Sequence, residues 1–143
     1  MTWSALVFSL AAAAMATLYF YVPRALSIRQ GEEFETLPKK EKWTLEEIAK
    51  FNGESEKSPI LMGIDGKVYD VTQGREYYGK DGGYRVLAGR DATRLLAKNS
   101  LAPEKDDESL PLNETEKQQL VQWQDFFNGK YPVVGSFESN IKY

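Results

Sequence analysis

Histidine and cysteine are both absent from this 143-residue chain. Their absence excludes the usual zinc sites, thiolate chemistry, disulfides, a Ser-His-Asp triad and bis-histidine haem ligation. Positive charge is not in surplus either. The 18 Lys and Arg stand against 21 Asp and Glu, for a formal net charge of −3, and no basic stripe runs along the sequence. Nothing here would release counterions from a phosphate backbone, so nucleic acid is excluded as a partner. What remains for strong ligand chemistry is carboxylate, phenol and lysine. The phenols cluster in Tyr77-Tyr78-Gly79-Lys80-Asp81-Gly82-Gly83-Tyr84.

Residues 1–23 carry no charged side chain, and Trp3 to Val22 is almost wholly apolar. A run of about 20 such residues is what a helix needs to cross a bilayer. Trp3 at one end and Tyr19, Phe20 and Tyr21 at the other suit the two membrane interfaces. The rival reading is a cleaved signal peptide with Ala14-Met15-Ala16 as its small-residue site. Against it, no basic region precedes the run, and the run continues past that site. The expectation is a single-pass anchor over 1–23 that contacts lipid through residues 3–22. Arg24, Arg29, Lys39, Lys40 and Lys42 all follow the run. The positive-inside bias therefore places the C-terminal part on the cytosolic side, or the matrix-like side of an organelle membrane.

Residues 24–42 are polar and mixed in charge and read as a juxtamembrane linker. The compact domain is expected over 43–137, with 138–143 as a tail. Thr44-Leu45-Glu46-Glu47 is a capping box that opens a helix burying Leu45, Ile48 and Ala49, with Gly53 as the stop. Ile60–Ile64 and Lys67–Val71 are β-rich runs joined by Asp65-Gly66, a strong hairpin signal. A turn or short helix near Thr72 to Tyr78 leads into the tyrosine loop, and another helical piece covers Tyr84 to Ala88. Asp91 reads as the N-cap of a helix that buries Ala92, Leu95, Leu96 and Ala97. Residues Pro103 to Leu112 form an acidic, solvated loop. Asn113 to Glu116 is a second capping box, opening a helix with Leu120, Trp123 and Phe127 on one face. Gly129 is expected to end that helix, and Tyr131 to Val134 to form a last strand. The whole is an α+β domain large enough for one modest core.

The ordered string Ile60-Leu61-Met62-Gly63-Ile64-Asp65-Gly66-Lys67-Val68-Tyr69-Asp70-Val71-Thr72, Gly74-Arg75, Tyr77-Tyr78-Gly79, Gly82, Tyr84 and Ala88-Gly89-Arg90-Asp91-Ala92 resembles one family. It is similar to the membrane-associated progesterone receptor family, haem- and steroid-binding relatives of cytochrome b5. Trp123, Lys130-Tyr131 and Val134-Gly135 continue the likeness. The resemblance implies a cytochrome b5-like fold with a ligand pocket between helix pairs. It also implies a b-type, five-coordinate haem whose iron is bound by the Tyr84 phenolate. Tyr78, Lys130 and Tyr131 would support the haem. A free phenol ionises only near pH 10, so ferric iron and neighbouring donors would have to favour the phenolate. The family usually has prolines where this chain has Lys80 and Gly83. The loop is therefore expected to be looser, with Lys80 as a further cation for a propionate.

The residues also have plainer readings. Tyr77 suits core or rim, and Tyr69 its strand. Arg75, Arg90 and Arg94 suit surface ion pairs. Two functions follow. The first is a membrane-anchored haem-binding protein, with steroid as another ligand class, that supports cytochromes P450 and sterol metabolism. The resemblance adds pairing of two copies through exposed haem faces. The second is a haem-free interaction module serving as an accessory subunit of a larger membrane complex. No convergent acid–base set points to an enzyme. The endoplasmic reticulum is the expected membrane and a mitochondrial membrane the alternative.

Overall fold

A computed structural model describes residues 33–102 and 110–139. The expected anchor at 1–23, most of the acidic loop and the last four residues lie outside the described residues. Among the described residues, no helix is long and apolar enough to cross a membrane.

The domain is built on a four-stranded sheet in the order β1-β4-β3-β2. These strands are β1 (Lys42–Trp43), β2 (Leu61–Ile64), β3 (Lys67–Asp70) and β4 (Val133–Phe137). The hairpin β2–β3 follows the Asp65-Gly66 signal. Ile64 pairs with Lys67 across it, and both turn residues have positive φ, 48° and 80°. That is the two-residue loop whose twist matches a hairpin. β4 lies antiparallel to β3, with an irregularity between Val68 and Tyr69, while β1 runs parallel to β4.

Both faces of the sheet are covered. Ile60, Met62, Ile64, Tyr69 and Val71 enter a core shared with Tyr78, Leu120, Phe127 and Tyr131. Leu61 and Val68 point the other way, to Trp43, Ile48, Phe51 and Phe137. Successive strand residues alternate between two apolar layers, so β2 reads as a continuous apolar run.

Among the described residues, four helices cover these layers: α1 (Leu45–Ala49), α2 (Arg75–Tyr78), α3 (Thr93–Ala97) and α4 (Glu114–Lys130). Short 3-10 turns occupy Thr72–Gly74 and Arg85–Leu87. Both capping boxes form, with Thr44 and Glu47 satisfying each other's amides, and Asn113 and Glu116 doing the same. On α1, Ile48 is buried but Ala49 is exposed, so the apolar face is narrower than expected. Ala92, not Asp91, occupies the cap of α3. Asp91 sits one residue earlier and accepts from the Thr93 amide at 3.1 Å.

α4 does not stop at Gly129. It runs to Lys130, and Tyr131 turns extended, at φ −128° and ψ 145°. Pro132 explains this, because its ring disfavours helical geometry in the residue before it. The last strand accordingly starts at Val133. Trp123 is only partly buried against the core, and its indole N–H donates to Asn99 Oδ1 at 3.0 Å.

The stretch from Glu35 to Lys42 makes contacts that no sequence pattern announces. The Glu35 amide donates to the Lys57 carbonyl at 2.8 Å, and the Ser136 amide to the Glu41 carbonyl at 2.8 Å.

Candidate functional site

The tyrosine loop folds back on its own start. The Tyr84 amide donates to the Tyr77 carbonyl at 2.9 Å, and the Gly82 amide to the Gly79 carbonyl at 2.9 Å. A Cβ on Gly82 would lie 2.1 Å from the Tyr77 carbonyl oxygen, so only glycine permits this return. It brings Tyr84 beside Tyr77, although seven positions separate them. Tyr84 ends up 47% exposed and Tyr77 41%. Tyr78, the last residue of α2, turns inward and is 6% exposed.

The C-terminal end of α4 comes up against this loop. Tyr78 meets Tyr131 edge-on, with ring centroids 6.2 Å apart, and Phe127 packs 5.6 Å from Tyr131. The Lys130 ammonium stands over three rings, 5.3 Å from Phe126, 5.6 Å from Tyr77 and 5.7 Å from Tyr131. These are cation–π distances, but an exposed lysine gains only about 0.5–1 kcal/mol from such contacts. It remains available to an anion.

Two phenols in the cluster are in unusual states. Burial pushes the Tyr78 phenol well above its ordinary value, and the phenols of Tyr131, Tyr84 and Tyr77 add to the shift. Tyr78 is therefore a neutral hydroxyl at any physiological pH, and its shift marks three other phenols within electrostatic reach of it. The Tyr131 side chain is 4% exposed, and its buried hydroxyl makes no well-formed hydrogen bond among the described residues, its contact with the Tyr78 phenol being marginal. Gly74 makes room for it, since a Cβ there would lie 2.5 Å from the hydroxyl oxygen and 2.9 Å from the Tyr78 ring.

The structure thus brings together all four residues singled out from the sequence, Tyr78, Tyr84, Lys130 and Tyr131. It adds Tyr77, which was read as core or rim and is exposed beneath the Lys130 ammonium. It also adds Phe126 and Gly74. Phe126 had a readable signal, lying four residues before Lys130 on one helix face. Gly74 had none.

Polar residues around the site are engaged elsewhere. Lys80 pairs with Glu56 at 3.2 Å. Arg75 binds the carbonyls of Ser55 and Ser58 instead of a surface carboxylate. Asp91 holds Thr93 and accepts from Ser139 Oγ at 2.6 Å. Among the described residues, no group of His, Cys, Asp or Glu is placed to hold a metal ion.

Comparison with known proteins matches residues 44–131 to the cytochrome b5-like heme/steroid binding domain. "Probable steroid-binding protein 3" of Arabidopsis thaliana is 44% identical over 94 residues, covering 65% of this chain and 94% of that protein. "Cytochrome P450 regulator dap1" of Schizosaccharomyces pombe is 42% identical, over 68% of this chain and 65% of the relative. "Membrane-associated progesterone receptor component 2" of Rattus norvegicus is 40% identical, over 73% of this chain but only 52% of its own length. Among solved structures, a hypothetical protein of Arabidopsis thaliana described as having a cytochrome b5 like fold superposes with a TM-score of 0.62 at 40% identity. That match covers 73% of this chain and 97% of the other. This α+β domain has the cytochrome b5-like fold, and the chain belongs to the membrane-associated progesterone receptor family.

Proposed function

We propose that this protein is held in a membrane by residues 3–22 and binds haem through the Tyr84 phenol, in support of membrane enzymes such as cytochromes P450. The observation that carries the reading is the convergence of Tyr78, Tyr84, Lys130 and Tyr131 in a chain without histidine or cysteine. The donor set fits the group. Tyr84 offers the accessible oxygen. Tyr78 remains protonated and can only donate or accept as a neutral hydroxyl. The Tyr131 hydroxyl, though buried, has unused hydrogen-bonding capacity, and the Lys130 ammonium suits a carboxylate such as a propionate. When bound, haem would supply a ferric iron whose charge favours the ionised phenol. The aromatic lining would equally suit the flat apolar body of a steroid.

The family contains proteins named as steroid-binding and one named as a regulator of cytochrome P450, which supports binding and regulation in place of turnover. We place the anchor in the endoplasmic reticulum, with a mitochondrial membrane as the alternative, and residues 43–137 on the cytosolic or matrix-like side.

The test is titration of the full-length protein with ferric haem, followed by its Soret and tyrosinate charge-transfer absorption. The wild type is expected to bind as a high-spin, five-coordinate complex. Tyr84→Phe, which keeps the ring, is expected to lose that spectrum while its melting temperature stays nearly unchanged. An unaltered spectrum in Tyr84→Phe overturns the ligand assignment. A wild type that takes up no haem overturns the haem reading in favour of an interaction module, with exposed Tyr77, Tyr84 and Phe126 as its contact surface. The anchor is tested separately, since the full chain should stay in the membrane pellet after alkaline carbonate extraction.

A further inference from the structure

The loop from Gly53 to Ser58 lies directly against the backbone of the tyrosine segment. The Lys80 amide donates to the Gly53 carbonyl at 3.1 Å, and a Cβ on Gly53 would lie 2.5 Å from the Tyr78 carbonyl oxygen. Arg75, the first residue of α2, grips the same loop. Its Nη1 donates to the Ser55 carbonyl at 2.9 Å and its Nη2 to the Ser58 carbonyl at 2.6 Å. A rigid, permanently charged fork that bridges two carbonyls fixes a loop more firmly than a flexible ammonium does. The backbone carbonyl of Arg75 in turn accepts from the Gly79 amide at 2.8 Å, closing α2 at the point where the tyrosine loop begins. On the far side of the 53–58 loop, the buried Ser58 hydroxyl donates to Glu35 Oε2 at 2.6 Å. Hydrogen bonds therefore run from Glu35 through Ser58 and Arg75 to Gly79.

We propose that Arg75 is a positioning residue for the tyrosine site. It straps the segment carrying Tyr77, Tyr78 and Tyr84 to the 53–58 loop, and the Glu35–Ser58 bond braces that strap. The ligand half of the proposal rests on the haem reading above, but the positioning half does not.

The experiment uses the full-length protein in detergent micelles with two readouts. The first is amide hydrogen exchange at Gly82 and Tyr84, with the amides of α4 as internal reference. The second is ferric haem titration with its tyrosinate absorption. Arg75→Gln should speed exchange at Gly82 and Tyr84 about tenfold or more, the effect of losing a charge-assisted hydrogen bond, with α4 unchanged. Haem affinity should fall about tenfold, with an altered charge-transfer band. Arg75→Lys, which can keep one carbonyl contact, should recover part of both effects. Ser58→Ala should move both in the same direction, by less. Exchange that stays at wild-type rates in Arg75→Gln, or that rises equally in α4, overturns the proposal. If Arg75→Gln does not fold, Arg75→Lys decides by the same comparison. If the wild type binds no haem, only the haem reading falls, and the exchange rates still decide the strap.

Discussion

Removing one oxygen atom from Tyr131 should make the ligand-free protein more stable. The Tyr131 hydroxyl is buried and makes no well-formed hydrogen bond among the described residues, with the Tyr78 phenol as a marginal contact. An unpaired polar group in that position costs about 1–3 kcal/mol. Tyr131→Phe keeps the ring, and with it the contacts to Phe127 at 5.6 Å and Tyr78 at 6.2 Å. A net gain of about 1 kcal/mol is expected, equivalent to about 4–8 °C in melting temperature for a domain of this size. Tyr69→Phe is the matched control. That hydroxyl is equally deep but donates to Asn128 Oδ1 at 2.7 Å. Its removal should cost about 1 kcal/mol, so the same chemical change has opposite signs at the two positions. Thermal unfolding of the haem-free proteins, followed by circular dichroism, reads both. On the proposed haem reading, the same Tyr131→Phe variant should bind ferric haem about 10–100-fold more weakly, through loss of a supporting hydroxyl. If Tyr131→Phe lowers the melting temperature as Tyr69→Phe does, the hydroxyl is partnered and the reasoning fails.

Gly82→Ala should open the tyrosine loop, because its Cβ would overlap the Tyr77 carbonyl oxygen, and should destabilise by about 2 kcal/mol or more. Gly83→Ala meets nothing within 4 Å and should be nearly neutral, so equal melting temperatures for the two variants would contradict the loop geometry. The Glu47 carboxyl lies below its ordinary value of 4.5, chiefly because the Lys40 ammonium donates to it and also because it accepts the Thr44 amide. Its contribution is present above that ordinary value and lost as pH falls through the lowered one, so Glu47→Gln should flatten the acid limb of the stability curve below pH 4.5. Burial raises Tyr78 and Tyr69 above the ordinary 10.0, so their contribution is complete below pH 10.0 and lost as pH rises beyond it. Denaturant melts from pH 9 to 12 should show this alkaline loss, and Tyr78→Phe should make it shallower.

The features legible in the sequence were those whose cause is local. A capping box needs only residues three apart, and a two-residue hairpin loop only its own dipeptide, so Thr44, Asn113 and Asp65-Gly66 sit where their chemistry predicts. The end of α4 shows two local signals in competition. Gly129 costs a helix interior only about 1 kcal/mol, which packing overrides. The clash of Pro132 with the residue before it is steric and is not overridden. β1 had no local signal at all, because two residues become a strand only by pairing with Ser136 and Phe137 at the other end of the domain. The site was partly legible for the same reason. The phenols of the loop share one short segment of sequence, whereas the meeting of Tyr78 with Tyr131 depends on how α4 crosses the core. The family resemblance pointed to that meeting, and periodicity did not.

Burial sorts the phenols by the work each one can do. Tyr78 and Tyr131 both lie inside, and at Tyr78 burial keeps the phenol neutral. Tyr84 lies at the surface, which suits the ligand role proposed for it. A site built from one residue type thus acquires distinct roles through environment alone, as pairs of carboxylates do when unequal burial separates an acid from a base. The loop return at Gly82 keeps Tyr84 outside, and the space at Gly74 admits Tyr131 inside. Neither glycine carries chemistry of its own, yet exchanging the exposures of these two tyrosines would leave four phenols and no surface-accessible one at position 84 for the proposed ligand role.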